Sequence, residues 1–125
     1  MDLSKEHQTR KPVGKLNPSQ MSKLDRLFQE LGLRDAGHKS ILKGEATVMH
    51  HFVPRKNLAT RWYRYNGIPF TQEQHDNEVL SRDEIIEIKG DEWYRDLMIQ
   101  ATKFTKVLDY KTIVEHLIGN RDNYL

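Results

Sequence analysis

The chain has 125 residues, enough for one domain with a modest core. Its composition, 37% hydrophobic and 30% charged with a mean hydropathy of -0.78, leaves no run of the roughly 18 apolar residues that a membrane span needs. Cysteine is absent, which excludes disulfides, a thiol nucleophile and a thiolate zinc site, and the net charge is only +2.

No charged segment followed by an apolar one opens the chain, so no secretory leader is read and a cytoplasmic setting is expected. Charge is unevenly spread. Residues 39–66 carry Lys39, Lys43, Arg55, Lys56, Arg61 and Arg64 against Glu45 alone. Residues 71–92 carry eight acids against Arg82 and Lys89. A basic block beside an acidic one suggests one face for a polyanion and another turned away from it; a mixed, solvated surface is the plainer reading.

In chain order, residues 1–16 are polar and basic without periodicity and read as a flexible arm. Asn17-Pro18 with Gln20 reads as a capped helix start. The helix spans 18–31, places Met21, Leu24, Leu27, Phe28 and Leu31 on a core stripe, and closes at Gly32. After an irregular stretch, Ala46 to Val53 reads as a strand that Pro54 ends. A basic loop runs from Arg55 to the turn dipeptide Asn66-Gly67, followed by the short apolar segment Ile68-Pro69-Phe70. Thr71 caps a helix from Gln72 to Leu80, and Ser81 with Glu84 forms a capping box ahead of Ile85, Ile86 and Ile88. Gly90 breaks that helix. Trp93, Tyr94, Leu97, Met98 and Ala101 mark the next, over 91–104, and Leu108 to Ile118 gives a last one ended by Gly119-Asn120. The organisation is therefore an arm over 1–16 and a single domain over 17–125. That domain holds a helix over 18–31, a strand–strand–helix core over 44–80 and a helical tail over 81–119, an α+β fold.

The histidines carry the chemistry. His50 and His51 are neighbours on a strand, so they point to opposite faces, and one can bind a metal while the other faces something else. A hairpin folded back onto the following helix brings His75 beside His50. His7, His38 and His116, in the arm, a loop and a helix end, read as ordinary histidines.

The ordered set His50-His51-Phe52-Val53-Pro54-Arg55, Arg61-Trp62, Asn66-Gly67-Ile68-Pro69 and His75 resembles the HNH endonuclease motif, with nine positions from Asn66 to His75. Ala59-Thr60-Arg61-Trp62 followed by Asn66 resembles phage HNH nucleases, in particular the NinG/Rap-type recombination nucleases. Lys23-Leu24-Asp25-Arg26-Leu27-Phe28 is similar to their upstream helix. The likeness covers roughly 20–105 and is specific over 44–75. It implies a ββα-metal (HNH) hairpin among helices and metal-dependent hydrolysis of DNA phosphodiester bonds, in phage or prophage recombination or DNA processing. The location would then be the host cytoplasm.

On that reading His51 is the general base, since a neutral imidazole can take a proton from water. His50 and His75 hold one divalent ion. Imidazole suits Zn, Ni, Co or Mn, whereas the resemblance favours Mg or Mn. Asn66 pins the loop and keeps His51 oriented, a role compatible with its place in an Asn-Gly turn. Arg55, Lys56, Arg61 and Arg64 are candidate phosphate contacts, the guanidinium fork suiting phosphate geometry. Trp62 reads as packing. Asp76 and Glu78 near His75 read as solvent-facing charge.

Many such nucleases carry two Cys-x-x-Cys pairs around a structural zinc. The corresponding positions here are Ser40 and Lys43, then Thr71 and Gln74, so that zinc is lost and apolar packing is expected to hold the fold, with Trp93, Leu97 and Met98 of the tail supplying it. Two rival functions remain: a DNA-binding accessory module of the same fold without turnover, and an interaction factor whose tail docks on a partner. The tail also offers a surface for pairing two subunits.

Overall fold

The computed structural model describes residues 16–106 and 108–125. The expected arm lies outside these residues except for Leu16, which is buried against the core. The fold is α+β: a long helix, a two-stranded antiparallel sheet with a looped connection, and a series of helices.

Helix α1 spans Pro18–Asp35. Its start follows from local chemistry. The Asn17 side chain accepts from the Gln20 N–H (2.7 Å), and Gln20 Oε1 accepts from the Asn17 N–H (3.2 Å). Its end lies one turn beyond the expected Gly32. The helix passes through Gly32 because a Cβ there would come within 2.9 Å of Met49 Cγ, so the glycine admits the strand rather than stopping the helix. Gly37, at φ 64°, takes the left-handed position instead, with His38 N–H donating to Leu33 O and Gly37 N–H to Arg34 O.

Strands β1 (Val48–His51) and β2 (Gly67–Phe70) pair with Val48 opposite Phe70, Met49 opposite Pro69, His50 opposite Ile68 and His51 opposite Gly67. The outer edge of β1 is not left open. Gln29 of α1 receives the Met49 N–H (2.8 Å) and donates to the Met49 carbonyl (2.9 Å). The basic stretch between the strands is more ordered than a plain loop. It holds α2 (Leu58–Arg61), capped by Asn57, and a 3-10 turn over Arg64–Asn66.

Helix α3 (Gln72–Asp76) starts on the Thr71–Gln74 capping box. It stops short of the expected Leu80 because Glu78 turns into the left-handed region at φ 47° and the Val79 N–H returns to Gln74 O. Then follow α4 (Arg82–Lys89), α5 (Asp91–Ala101) and α6 (Tyr110–Leu117). The core joins Phe28 of α1, Met49 and Ile68 of the sheet, Trp62 of the loop and Leu97 and Ile113 of the tail. Each large side chain buried in this way contributes about 1.5–3 kcal/mol. Among the described residues no helix is long and apolar enough to cross a membrane.

Candidate functional site

His50 leaves β1 on the face opposite His51, as strand alternation requires. It meets His75 of α3 edge to face, with ring centroids 5.4 Å apart. His75 is therefore brought beside His50 by the turn from β2 into α3. Burial lowers the His50 pKa from its ordinary value, and the neighbouring His75 lowers it further, while Glu78 works the other way. The His75 Nδ1 is buried and has no hydrogen-bond partner among the described residues. The nearest carboxylate oxygen, on Asp76, is 3.6 Å away and is itself engaged by Gln72. This unpartnered ring nitrogen and the His50 ring beside it are the two groups here that could hold a divalent ion. No group of three or more His, Asp or Glu side chains suited to a metal occurs among the described residues.

His51 faces α1. Its ring stacks on Phe28, with centroids 4.4 Å apart and planes 16° from parallel. Its Nε2 lies 2.9 Å from the Arg61 carbonyl. A carbonyl only accepts, so Nε2 carries the proton and Nδ1 the lone pair. Burial depresses the His51 pKa to about 4, with the charge of Arg55 adding to the effect and the bond to the Arg61 carbonyl opposing it. The ring is thus neutral at neutral pH. His75 stands between two clefts, one of about 270 Å³ shared with His51, Arg55 and Asp25, the other of about 360 Å³ shared with His50 and Glu78.

Asn66 is fully buried. Its Oδ1 accepts from the Val53 N–H (2.7 Å), and its Nδ2 donates to Val53 O (3.1 Å) and Thr60 O (3.1 Å). It ties the two ends of the loop together and fixes the backbone next to Arg61, whose carbonyl holds His51. The expected Asn66-Gly67 turn is not formed as such: Asn66 closes the 3-10 turn over Arg64–Asn66, and Gly67, at φ -88° and ψ 134°, is already the extended first residue of β2.

The four basic residues of the loop separate into two kinds. Arg55 and Lys56 are exposed, and Arg55 lines the cleft that holds His51. Arg61 and Arg64 are engaged: Arg61 by Asp25 (2.8 Å) and Arg64 by Asp122 (2.9 Å). Arg55 also reaches Asp25 (2.9 Å), with 58% of its side chain exposed. Trp62 is buried, as expected of a packing residue, and its indole N–H donates to Asp25. Burial raises the Asp25 pKa, but the hydrogen bonds from Arg61 and Trp62 and the arginine charges outweigh it and leave the carboxyl below its ordinary value.

Ser40, Lys43, Thr71 and Gln74, the positions that correspond to zinc cysteines in the resemblance, do come together, held by hydrogen bonds. Ser40 Oγ donates to Gln74 Oε1 (2.5 Å), which also accepts from the Thr71 N–H (2.8 Å), and Gln74 Nε2 donates to the Lys43 carbonyl (2.7 Å). Apolar packing does hold the fold, with Leu97 in the core and Trp93 and Met98 against it, and a polar clasp centred on Gln74, next to His75, adds to it by holding the 39–45 segment to the start of α3. Asp25 and Gln29 also escaped the sequence reading. The only signal for Asp25 was a carboxylate set between Leu24 and Leu27 on an apolar stripe.

Compared with family models, curated proteins and solved structures, the chain matches none. What the site can do rests on its own geometry.

Proposed function

We propose that the protein is a divalent-metal-dependent endonuclease of the ββα-metal (HNH) type that hydrolyses DNA phosphodiester bonds. The observation that supports this most is the convergence of His50 and His75, 25 positions apart, with His51 neutral on the other face of β1 in a cleft that His75 also lines.

His51 acts as general base. Its Nε2–H is committed to Arg61 O, so Nδ1 takes the proton from the attacking water. His50 and His75 would supply two imidazole nitrogens, leaving other coordination positions to water and phosphate. A divalent ion held there would offset charge on a non-bridging oxygen and on the leaving 3′-oxygen, giving 5′-phosphate and 3′-hydroxyl ends. Mn or Mg is the favoured ion on the resemblance, with Zn, Ni or Co suited to the imidazole pair. The exposed Arg55 and Lys56 take the flanking phosphates, whereas Arg61 and Arg64 act first as parts of the scaffold. A role in phage or prophage recombination, with branched DNA as substrate, rests on the sequence resemblance alone.

The deciding experiment is nicking of supercoiled plasmid across Mg, Mn, Co, Ni and Zn. Wild type should nick or cut with at least one ion. His51→Ala should abolish cleavage while retaining DNA and metal binding, and His75→Ala should weaken metal binding about tenfold or more. DNA binding without cleavage under every ion would favour an accessory DNA-binding module. Equal metal affinity in wild type and His75→Ala would refute that ligand.

A further inference from the structure

We infer that Asp25 of α1 is a positioning residue for His51, acting through Arg61, and that α1 is part of the machinery that sets the general base.

The inference starts from helix spacing. Asp25, Phe28, Gln29 and Gly32 fall at i, i+3, i+4 and i+7, one face of α1. Every member of that face meets β1 or the loop that follows it. Gly32 admits Met49, Gln29 brackets the Met49 N–H and carbonyl, and Phe28 lies under the His51 ring. Asp25 completes the set. Its Oδ1 accepts from Arg61 Nε (3.0 Å) and Trp62 Nε1 (2.8 Å), and its Oδ2 from Arg61 Nη2 (2.8 Å) and Arg55 Nη2 (2.9 Å).

The grip on Arg61 is the side-on fork, two parallel charge-assisted bonds that fix the plane of the guanidinium as well as its position. Only 16% of the Arg61 side chain is exposed, and Trp62 is buried, so solvent weakens their bonds to Asp25 less than that of Arg55, which is 58% exposed. The arginine held in this way presents the carbonyl that receives His51 Nε2–H. That bond selects the tautomer whose free lone pair is on Nδ1. Phe28 fixes the ring plane, Arg61 O fixes its rotation, and Asp25 keeps Arg61 in place. Without the carboxylate, Arg61 and Arg55 would face each other unpaired, and their loop would lose these hydrogen bonds to α1.

The catalytic part of this inference rests on the nuclease reading, so the test separates the two. The primary readout is the ring-nitrogen NMR spectrum of His51 in metal-free protein near neutral pH, which reports the tautomer without any cleavage. Wild type should show the Nε2–H form; a wild-type ring found mainly as Nδ1–H overturns the proposal before any variant is made. Asp25→Asn, which keeps the size but not the charge, should give a mixture of tautomers in a folded protein, and Asp25→Glu should restore the wild-type signal. Arg61→Lys, which lacks the fork, serves as a second variant should Asp25→Asn fold poorly, and it should also mix the tautomers. In plasmid nicking, Asp25→Asn should lower kcat about 10- to 100-fold with little change in KM, the loss expected when a reacting group is misplaced by about 1 Å. An unchanged His51 spectrum in folded Asp25→Asn and Arg61→Lys overturns the proposal whatever the nicking result. A rise in KM alone also overturns it, assigning Asp25 to DNA affinity. Absence of cleavage in wild type sinks the nuclease reading and leaves the tautomer result to decide the positioning role.

Discussion

Asn66 joins three backbone groups inside the protein, so the cost of replacing it follows from what is left behind. Asn66→Ala strands the Val53 N–H and the carbonyls of Val53 and Thr60 in a site with no access to solvent. Each unsatisfied buried group costs about 1–3 kcal/mol, so a loss of about 3 kcal/mol or more is expected in urea denaturation, with cleavage lost beyond what destabilisation explains. A loss below about 1 kcal/mol would show that the loop is held by other means. Asn66→Asp is the sharper variant. It keeps the acceptor for Val53 N–H but puts a carboxylate against two carbonyl oxygens. The sequence singles such positions out by unusual chemistry: adjacent histidines, an Asn-Gly pair and a third histidine at a set spacing. Asp25 was not legible, since a single carboxylate on a helix is nearly always solvated, and its partners lie 30 to 37 positions away.

Helices were placed well where a short pattern decides them. The capping boxes at Asn17, Thr71 and Ser81 all form, each needing only two side chains three residues apart. The ends that were misplaced depend on distant contacts. Gly32 reads locally as a stop, yet it is the point where α1 lies against β1. A methyl group there would sit 2.9 Å from Met49 Cγ and 3.1 Å from Met49 Cε, and Gly67 faces the same Met49 Cε at 2.8 Å. Gly32→Ala should therefore cost about 1–3 kcal/mol, despite the better helix propensity of alanine. Met49→Ala alone should also destabilise, by leaving a cavity. Combined, the two should cost less than the sum of the single losses, with a coupling of about 0.5 kcal/mol or more in a double-mutant cycle. Strict additivity would show that the helix and strand are not held by this contact. The clasp around Gln74 belongs to the same class of feature, since no local rule announces that Ser40 and Gln74 meet across 34 positions.

At the scale of the molecule, the tail holds the loop between the strands rather than the hairpin itself. Trp93 donates to Tyr65 O, Gln100 and Tyr124 to Ala59 O, and the His116 ring accepts the Arg64 N–H. The basic loop is thus fastened by α1 on one side and by α5, α6 and the last residues on the other, which keeps Arg61 O fixed for His51. His116 makes this fastening sensitive to pH. It is fully buried, stacked on Tyr63, and its Nδ1–H donates to Arg121 O (2.9 Å) while Nε2 accepts from Arg64 N–H (2.9 Å). Protonation would set a second N–H against the Arg64 N–H. Burial accordingly depresses its pKa to about 4 from an ordinary 6.5, helped by the charges of Arg64 and Arg121 and opposed by the Arg121 carbonyl and Asp122. Because the folded value is the lower one, the unfolded chain binds the proton first. The stabilising contribution is whole above the ordinary value of 6.5 and is lost as pH falls toward about 4. For this buried ring the full loss is of order 3 kcal/mol. His51 contributes in the same window with the same sign, but less, since its ring is partly exposed. Urea denaturation of metal-free protein should show stability falling between about pH 6.5 and 4 and steady above that window. His116→Gln, which keeps an acceptor for the Arg64 N–H and cannot titrate, should flatten much of the slope. A wild-type stability that is the same at both ends of the window would mean that the His116 ring titrates as freely in the folded protein as in the unfolded chain.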